Sequence, residues 1–262
     1  MIWKSWYFML PLAGYFSIQY IMNAFLSDLF TRKKPLWPGM TDVHSHVLPG
    51  VDDGFSLEEE SLGMLLFLGT CGVKRLFLTP HIMADLAKNR REFLQERFDL
   101  FRSKCADIPV ELRLAAEYML DECFYDRMKE GLLSYDGQHV LVEVSFLQAP
   151  GDLFEKLYDM QLNGFIPVMA HPERFGFWNI DELLKLKEHG CKFQLNIFSL
   201  VGFYGPLPNK TAAALLKRGC YDFVGTDIHS LNYRSFYSSL KLKKDQFEAV
   251  ERLMRGNETL WG

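Results

Sequence analysis

The chain has 262 residues, of which 48% are hydrophobic and 24% are charged, and its net charge at pH 7 is −4. This composition is typical of a globular protein, and the length suits one large domain or two small ones. The negative net charge and the lack of a basic run interleaved with aromatic residues argue against a nucleic-acid-binding protein. No linker-like composition interrupts the sequence after residue 38, so we expect one domain over residues 39–262.

The beginning of the chain is an apolar segment. Residues 6–26 carry no charge and are followed by the basic triplet 32–34. This length is close to that of a bilayer span, and the basic flank suits an anchor, whereas no small-residue cleavage site supports a secretory signal. Two interpretations stay open. Residues 1–38 contain a membrane-associated segment, or translation starts at Met22 or Met40 and the apolar segment is a start-site artefact.

From residue 39 onward, short apolar runs alternate with longer amphipathic ones. The predicted strands lie in MTDVH (40–44), VKRLFLTPH (73–81), VELRLAAEYML (110–120), HVLVEVS (139–145), FIPVMAHPER (165–174), CKFQLNIF (191–198) and DFVGTDIHS (222–230). The predicted helices lie at 56–71, 90–105, 121–131, 151–163, 179–189, 208–218 and 243–255. About seven strand–helix units predict parallel strands in an α/β fold, closed or nearly closed into a TIM-like barrel.

Local signals mark the ends of several predicted helices. Ser56 with Glu59 predicts a capping box at the start of the first helix. Glycines at 164, 190 and 219 directly follow three helical runs and predict their C-terminal stops.

The cysteines indicate a reducing compartment. There are five, widely spaced and without a CxxC pair: Cys71, Cys105, Cys123, Cys191 and Cys220. An odd number at such spacing argues against a disulfide framework or a zinc knuckle. We therefore expect buried structural thiols.

Ligand-type side chains fall at or near the end of each predicted strand. In chain order these are His44, His46 and Asp53, then His81, Glu117, Glu143, His171 and Asn196, and finally Asp227 and His229. Taken singly, each has an ordinary alternative explanation, such as a core ion pair for the two glutamates or a capped turn for the DxH segment. Parallel barrels, however, collect the carboxyl ends of their strands on one face. Five of the seven histidines and four carboxylates would then share one pocket, while His139 and His189 are structural or exposed.

This set of side chains predicts a multinuclear metal site. Nine nitrogen and oxygen ligands without a thiolate are too many for one ion, but suit two or three divalent ions such as Mn, Fe or Zn. Clustered metals activate water and clamp the attacking and leaving oxygens of a phosphoester displacement. Arg174 lies three residues after His171 and could hold a phosphate oxygen with its planar guanidinium. The alternative for Arg174 is a salt bridge at the barrel rim.

Six motifs in order carry a family resemblance: DVHSHVLPGVDDG, TPH, AAEYML, LVEVS, AHPER and GTDIHS. Over residues 40–255 the chain resembles the polymerase-and-histidinol-phosphatase (PHP) superfamily, and within it the bacterial manganese-dependent protein-tyrosine phosphatases of capsular and exopolysaccharide synthesis. The resemblance implies a distorted (β/α)7 barrel with a trinuclear, most commonly manganese, centre. The implied ligands are His44, His46, Asp53, His81, Glu117, Glu143, His171, Asp227 and His229, and Arg174 matches the arginine that binds the transferred phosphoryl group.

The resemblance also implies the reaction and its setting. A metal-bound hydroxide would attack phosphotyrosine phosphorus without a phosphocysteine intermediate, on the tyrosine-rich tail of a bacterial autokinase, in the cytoplasm or at the inner face of the plasma membrane. Two other functions stay open: a small-molecule phosphatase, for example of histidinol phosphate, and a non-catalytic partner of the polysaccharide kinase complex. The sequence predicts no oligomeric state.

Overall fold

Parallel strands alternate with helices in the computed structural model, which describes residues 37–262. The strands are β1 (Met40–Asp42), β2 (Val73–Leu78), β3 (His81–Ile82), β4 (Glu111–Leu114), β5 (Glu117–Met119), β6 (His139–Glu143), β7 (Ile166–Ala170), β8 (Lys192–Asn196) and β9 (Phe223–Gly225). The helices are α1 (Glu58–Thr70), α2 (Arg91–Ser103), α3 (Phe124–Glu130), α4 (Leu153–Leu162), α5 (Ile180–Glu188), α6 (Pro206–Lys217), α7 (Tyr233–Ser239) and α8 (Lys244–Trp261). Two 3₁₀ turns, Pro172–Arg174 and Ile197–Val201, follow β7 and β8.

The strands form two sheets in which every pairing is parallel. One sheet has the order β1-β2-β4, and the other has the order β3-β5-β6-β7-β8-β9. A single parallel bridge between Ser45 and Ile228 links the segment after β1 to the segment after β9. The predicted alternation and parallel pairing are therefore confirmed, but the described strands are distributed over two sheets rather than one continuous closed ladder.

Two predicted strands are each divided into two segments. The second breaks at Thr79 and Pro80 between β2 and β3, and the third breaks at 115–116 between β4 and β5. Pro80 has no N–H to donate to a ladder. Backbone bonds nevertheless continue across the break, since the Ala115 N–H donates to the Leu78 carbonyl at 2.9 Å and the Glu117 N–H donates to the Pro80 carbonyl at 3.1 Å. As a result His81 and Glu117 begin short strands instead of ending long ones.

Helix boundaries agree with the sequence prediction within a few residues, except that α8 continues to Trp261 instead of ending near residue 255. One predicted cap is wrong. Helix α1 begins at Glu58 with Leu57 as its N-cap and no side-chain cap, so the predicted capping box of Ser56 and Glu59 is absent. Three glutamates in the first turn interact favourably with the helix dipole instead. Helix α7, which we did not predict, follows the seventh predicted strand. Glycines 164, 190 and 219 follow α4, α5 and α6 with positive φ, as predicted.

The hydrophobic core has two parts. A large cluster lies mainly between the helices and the sheets. A smaller one combines side chains from or next to six strands with the end of α8: Val43, Phe77, Ala115, Tyr135, Leu141, Val168, Ala170, Phe223, Leu260 and Trp261. Side chains from so many strands can meet only if the sheets curve around them. The end of α8 therefore fills the space inside the curved sheets.

Asn257 of α8 connects β1 to β9. Its side chain is fully buried. The amide nitrogen donates to the carbonyls of Thr41 and Val224, both at 2.7 Å, and the amide oxygen accepts from the Val224 N–H at 3.0 Å. These bonds satisfy backbone groups at the edges of two different sheets, so Asn257 holds the first and last strands together.

The N-terminal segment predicted to associate with a membrane, residues 6–26, lies outside the described residues. Within residues 37–262, no helix has both the length and the apolarity that a bilayer crossing requires.

Replacing Asn257 tests this connection. We expect Asn257→Ala to lower the free energy of unfolding by about 2–4 kcal/mol, because three hydrogen bonds at roughly 1 kcal/mol each are lost in a buried site. Thr259→Ala, at an exposed position of the same helix, is the control and should change it by less than about 0.5 kcal/mol. Urea denaturation measures both, and equal effects would contradict the assigned role.

Candidate metal centre

Seven of the nine predicted ligands end a strand or follow one, and the other two begin the short strands that continue β2 and β4 after their breaks. His44 and His46 follow β1, His81 begins β3, Glu117 begins β5, Glu143 ends β6, His171 follows β7, and Asp227 and His229 follow β9. Asp53 lies in the loop between β1 and α1. The convergence expected from the parallel topology is therefore present.

The Glu117 carboxylate is at the centre of this cluster and is fully buried. Its Oε2 atom lies 3.1 Å from His44 Nε2, 3.2 Å from His46 Nε2 and 3.3 Å from His81 Nδ1. Its Oε1 atom lies 3.1 Å from His171 Nε2. One carboxylate thus contacts four imidazoles that come from three different segments of the chain.

Asp227 is the second shared carboxylate. Its Oδ1 lies 3.3 Å from the Nε2 atoms of both His44 and His46, and 3.4 Å from His229 Nδ1. Its Oδ2 accepts hydrogen bonds from Arg174 Nη1 at 2.5 Å and from Asn196 Nδ2 at 3.1 Å. Asp227 therefore connects the imidazole cluster to the predicted phosphate-binding arginine.

Three overlapping sets of side chains have the geometry of metal-binding groups. They are His46, Asp53, His81 and His229; His44, His46, Glu117 and Asp227; and His81, Glu117 and Glu143, and the ligand atoms of each set lie within 4.8 Å of one another. The sets share His46, His81 and Glu117, so they form one connected cluster. His171 belongs to none of the three sets, but it contacts Glu117 directly.

The hydrogen bonding of the cluster fits a metal better than a polar network. His81 Nδ1, Glu117 Oε1, Glu143 Oε1 and Asp227 Oδ1 are buried without a hydrogen-bond partner. His81 Nδ1 is only 2.9 Å from Glu143 Oε1, but the two atoms are not aligned for a hydrogen bond. Buried polar groups normally have partners. Atoms that converge without pairing are what a site built around cations requires.

The two imidazoles of the HxH motif support the same conclusion. His44 Nε2 and His46 Nε2 lie 3.2 Å apart, and both rings are fully buried. Nitrogen ligands on one tetrahedral ion, with bonds of roughly 2.0–2.1 Å, would be separated by roughly 3.3 Å. The observed spacing is therefore compatible with two ligands of one ion.

The charges of the clustered side chains offset one another. Burial disfavours ionisation of Glu117, but His44 and His81 hold its pKa well below the usual value. Burial and the neighbouring His46 oppose protonation of His81, yet Glu117 and Glu143 raise its pKa to about 9. Burial and Arg174 lower the pKa of His171 to about 4. A divalent ion would replace the protons on the charged imidazoles, so metal binding would release protons.

The two neighbouring aspartates of the opening motif have different surroundings. The Asp53 side chain is 70% exposed, and its Oδ1 lies 3.4 Å from His81 Nε2 and 3.5 Å from His229 Nε2. The Asp52 carboxylate is buried and accepts from His46 Nδ1 at 2.8 Å and from the His81 backbone N–H at 3.1 Å. Asp53 thus faces the cluster directly, and Asp52 orients one of its imidazoles.

Gln194 on β8 supports the site in a way that the sequence analysis missed. Its Oε1 lies 2.9 Å from His44 Nδ1 and 3.3 Å from the backbone nitrogen of His171. Such a contact fixes the ring orientation of an imidazole and directs its other nitrogen towards a metal. Gln194 lies two residues before Asn196 and on the same side of β8, and this spacing was the only sequence signal for it.

Arg174 lies between two aromatic rings. Its guanidinium carbon is 4.1 Å from the ring centre of Tyr204 and 4.9 Å from that of Phe146. The Tyr204 hydroxyl accepts from Asn196 Nδ2 at 2.9 Å. The side chain of Arg174 remains 18% exposed. The guanidinium therefore packs against two aromatic rings beside the cluster and still reaches solvent. The sequence predicted neither aromatic residue as part of the site.

The backbone also adapts to the site. His171 and Asp227 have φ of 32° and 54°, and they are the only non-glycine residues with positive φ in the described chain, 37–262. Such strain concentrates at functional sites. At Gly54 an added Cβ would lie 2.2 Å from the His46 carbonyl oxygen, and at Gly225 it would lie 2.5 Å from the His44 Cβ. Only glycine allows the chain to pass this close to the two histidines.

The remaining histidines and the cysteines lie outside the cluster. His139 pairs with Asp136 at 2.8 Å, and His189 is exposed on the surface, as predicted. Four cysteines are buried, and Cys123 is partly buried. Burial raises the pKa of Cys105 to about 11 and that of Cys191 to about 12, so these thiols are poor nucleophiles.

Several known proteins are similar to this chain. The tyrosine-protein phosphatase YwqE of Bacillus subtilis is 31% identical over 205 residues, which cover 76% of this chain and 81% of the relative. The tyrosine-protein phosphatase CpsB of Streptococcus pneumoniae is 29% identical over 209 residues, covering 76% and 86%. A crystal structure from a study of these two proteins, described as unique metal-dependent tyrosine phosphatases, has a TM-score of 0.70 and 28% identity. It covers 83% of this chain and 95% of that one.

The family comparison agrees with these relatives. Residues 40–255 match the model of the family described as capsular polysaccharide synthesis, CpsB/CapC. The match begins at the first residue of β1 and ends within α8, so it includes all nine predicted ligands and Arg174. The chain belongs to the CpsB/CapC family of capsular polysaccharide synthesis.

Proposed function

We propose that this protein is a metal-dependent protein-tyrosine phosphatase that hydrolyses phosphotyrosine on a bacterial tyrosine autokinase controlling capsular or exopolysaccharide synthesis. The observation that carries the proposal is the buried cluster around Glu117, with its unpaired ligand atoms, beside the partly exposed Arg174. Its tyrosine-phosphatase relatives support the substrate class. The family description supports the link to polysaccharide synthesis.

The proposed metal ligands are the nine residues named from the sequence: His44, His46, Asp53, His81, Glu117, Glu143, His171, Asp227 and His229. The preferred ions are two or three Mn²⁺, with Fe and Zn as alternatives, because the donors are nitrogen and oxygen without thiolate. When bound, such ions lower the pKa of water and neutralise charge on a phosphoryl group. Gln194 and Asp52 hold His44 and His46 in the ligand orientation through hydrogen bonds to their Nδ1 atoms.

Arg174 is the proposed phosphoryl-binding residue. A guanidinium carries five N–H donors in a planar fork, and Asp227 accepts one of them. The two flanking rings keep the plane of the guanidinium fixed. The conformational freedom of Arg174 is therefore already restricted before a phosphoryl group binds. Its positive charge stabilises the negative charge on the phosphoryl group during transfer.

A cysteine nucleophile is a poorer explanation for the same reaction. The chain has no CxxxxxR phosphate loop. Burial raises the pKa of Cys105, Cys191 and Cys220, which disfavours the reactive thiolate. The reaction is therefore assigned to the metal cluster.

The finer architecture and the location of the protein are part of the same proposal. Residues 39–262 form the phosphatase domain, a distorted seven-stranded barrel of the PHP type. Residues 1–38 are either a membrane-associated segment or a start-site artefact. The phosphatase acts in the cytoplasm or at the inner face of the plasma membrane, where the kinase tail is accessible.

Metal removal and substrate choice test the function. We expect the full-length protein to lose phosphotyrosyl-peptide turnover after chelation and to regain it with Mn²⁺, because ions bound by the cluster would supply the positive charge for the reaction. Thiol alkylation should have little effect. Phosphate release from the peptide and from histidinol phosphate is measured in parallel. A strong preference for histidinol phosphate would refute the tyrosine assignment, and inactivation by alkylation alone would refute the metal mechanism.

Removal of the arginine tests phosphoryl binding. We expect Arg174→Ala to lower kcat/KM for the peptide by roughly 10²–10³-fold, the usual cost of losing one transition-state donor, while bound metal stays unchanged. Arg102→Ala, on an exposed part of α2, is the control for loss of a positive charge. Loss of metal from Arg174→Ala, measured by elemental analysis, would mean that the arginine is structural.

The neighbouring aspartates test the ligand assignment. We expect Asp53→Ala to reduce the number of bound ions, because a direct ligand is lost. We expect Asp52→Ala to keep that number but to weaken binding roughly 10–100-fold, the usual effect of losing a hydrogen bond to a ligating imidazole. Elemental analysis and metal titration distinguish the two effects, and the reverse pattern would exchange the two roles.

A further inference from the structure

Phe146 is a half-exposed aromatic residue beside the candidate site. It lies three residues after Glu143, in the loop that follows β6. Half of its surface is accessible, at 50%, whereas the neighbouring aromatic Phe175 is buried at 2%. An exposed ring costs hydrophobic free energy that a buried one would gain. About half of the ring surface is therefore available for contact with a ligand.

The contacts of Phe146 lie on the side of the metal centre. Its ring is stacked on His171, with centroids 6.1 Å apart and an interplanar angle of 18°. It also contacts Phe175 at 5.4 Å, and the guanidinium carbon of Arg174 lies 4.9 Å from its centroid. Phe146 thus contacts one proposed metal ligand, His171, and the proposed phosphoryl-binding residue, Arg174.

The two residues beside Phe146 face a different space. Ser145 and Leu147 line a cavity of about 570 Å³, and Phe146 does not belong to that lining. Leu147 is 88% exposed. Phe146 therefore contacts the site, whereas Ser145 and Leu147 line a separate cavity. Leu147 is a matched control for Phe146.

Tyr204, on the other side of Arg174, has a different role. Its hydroxyl bonds to Asn196 and lies 3.4 Å from the Tyr233 hydroxyl. These contacts fix Tyr204 from within the protein. Phe146 has no hydroxyl group and is 50% exposed, whereas Tyr204 is less exposed, so Phe146 is the ring of the pair that offers more surface to a substrate.

We infer that Phe146 is a specificity-determining residue that binds the phenyl ring of an aryl phosphate and so selects aryl over alkyl phosphate esters. The guanidinium carbon of Arg174 lies 4.9 Å from the Phe146 centroid, so the ester group of a phosphoryl group bound to Arg174 is within reach of this ring. Aromatic rings attract each other at centroid separations of roughly 4.5–7 Å, a range that an aryl ester reaches from this position. An alkyl ester has no aromatic ring to pair with Phe146. This inference rests on the proposed function, whose substrate it explains.

Binding of two phosphonates to the full-length, Mn²⁺-loaded protein tests the inference by calorimetry. Phenylphosphonate and methylphosphonate share the charged group and differ in the ring, and neither is hydrolysed. The wild-type protein should bind phenylphosphonate more tightly. Phe146→Ala should lower the ratio of the two affinities, the preference for phenylphosphonate over methylphosphonate, by roughly three- to tenfold, the effect of losing one aromatic pair.

Further variants separate the ring from the fold. Phe146→Leu keeps an apolar side chain and should show the same loss of aryl preference. It replaces Phe146→Ala as the test if that variant is poorly folded. Phe146→Tyr should retain the preference, and Leu147→Ala should leave both affinities unchanged. Thermal unfolding and bound metal are measured for each variant.

The outcomes distinguish this inference from the proposed function. If Phe146→Ala weakens both phosphonates equally or leaves the aryl preference intact, or if the wild type binds neither phosphonate, Phe146 does not select the ring. Turnover of a phosphotyrosyl peptide by the wild-type protein is measured separately. Its absence refutes the proposed function, whereas an unchanged aryl preference with normal turnover refutes only the role of Phe146.

Discussion

The burial of the Glu117 carboxylate is the constraint on which the rest of the site depends. A fully buried charge is costly unless other charges or hydrogen bonds compensate it. Here His44, His46, His81 and His171 surround it at 3.1–3.3 Å. These four side chains come from three segments of the chain, after β1, at β3 and after β7, so the carboxylate can stay charged only when these segments meet at one face. The fold and the proposed metal centre therefore depend on each other.

Local backbone geometry is adapted to this centre at some cost in stability. His171 and Asp227 have positive φ, a conformation that is unfavourable for residues other than glycine. Gly54 and Gly225 leave no room for a side chain next to the HxH histidines. Elsewhere the fold compensates through ordinary means, such as the strand-connecting bonds of Asn257. Strain is thus concentrated where ligand atoms must converge.

The proposed reaction divides the work between two neighbouring parts of the site. The cluster around Glu117 supplies sites for cations, and Arg174 adds a fixed positive charge at the solvent-exposed edge. Asp227 belongs to both parts, because one oxygen faces the imidazoles and the other pairs with Arg174. Phe146 and Tyr204 both contact the guanidinium of Arg174. The position of a phosphoryl group is therefore linked to the position of the metals.

The sequence alone determined the candidate ligand types, their order along the chain near successive strand ends and the parallel α/β alternation, because parallel strands place their carboxyl ends on one face. It did not predict the division of the sheet at Pro80, the support of His44 by Gln194 or the rings around Arg174. These features depend on contacts between residues that are distant in the chain, and local sequence patterns do not indicate such contacts. Only the tertiary structure decided which of these side chains meet, because side-chain packing and burial select the partners.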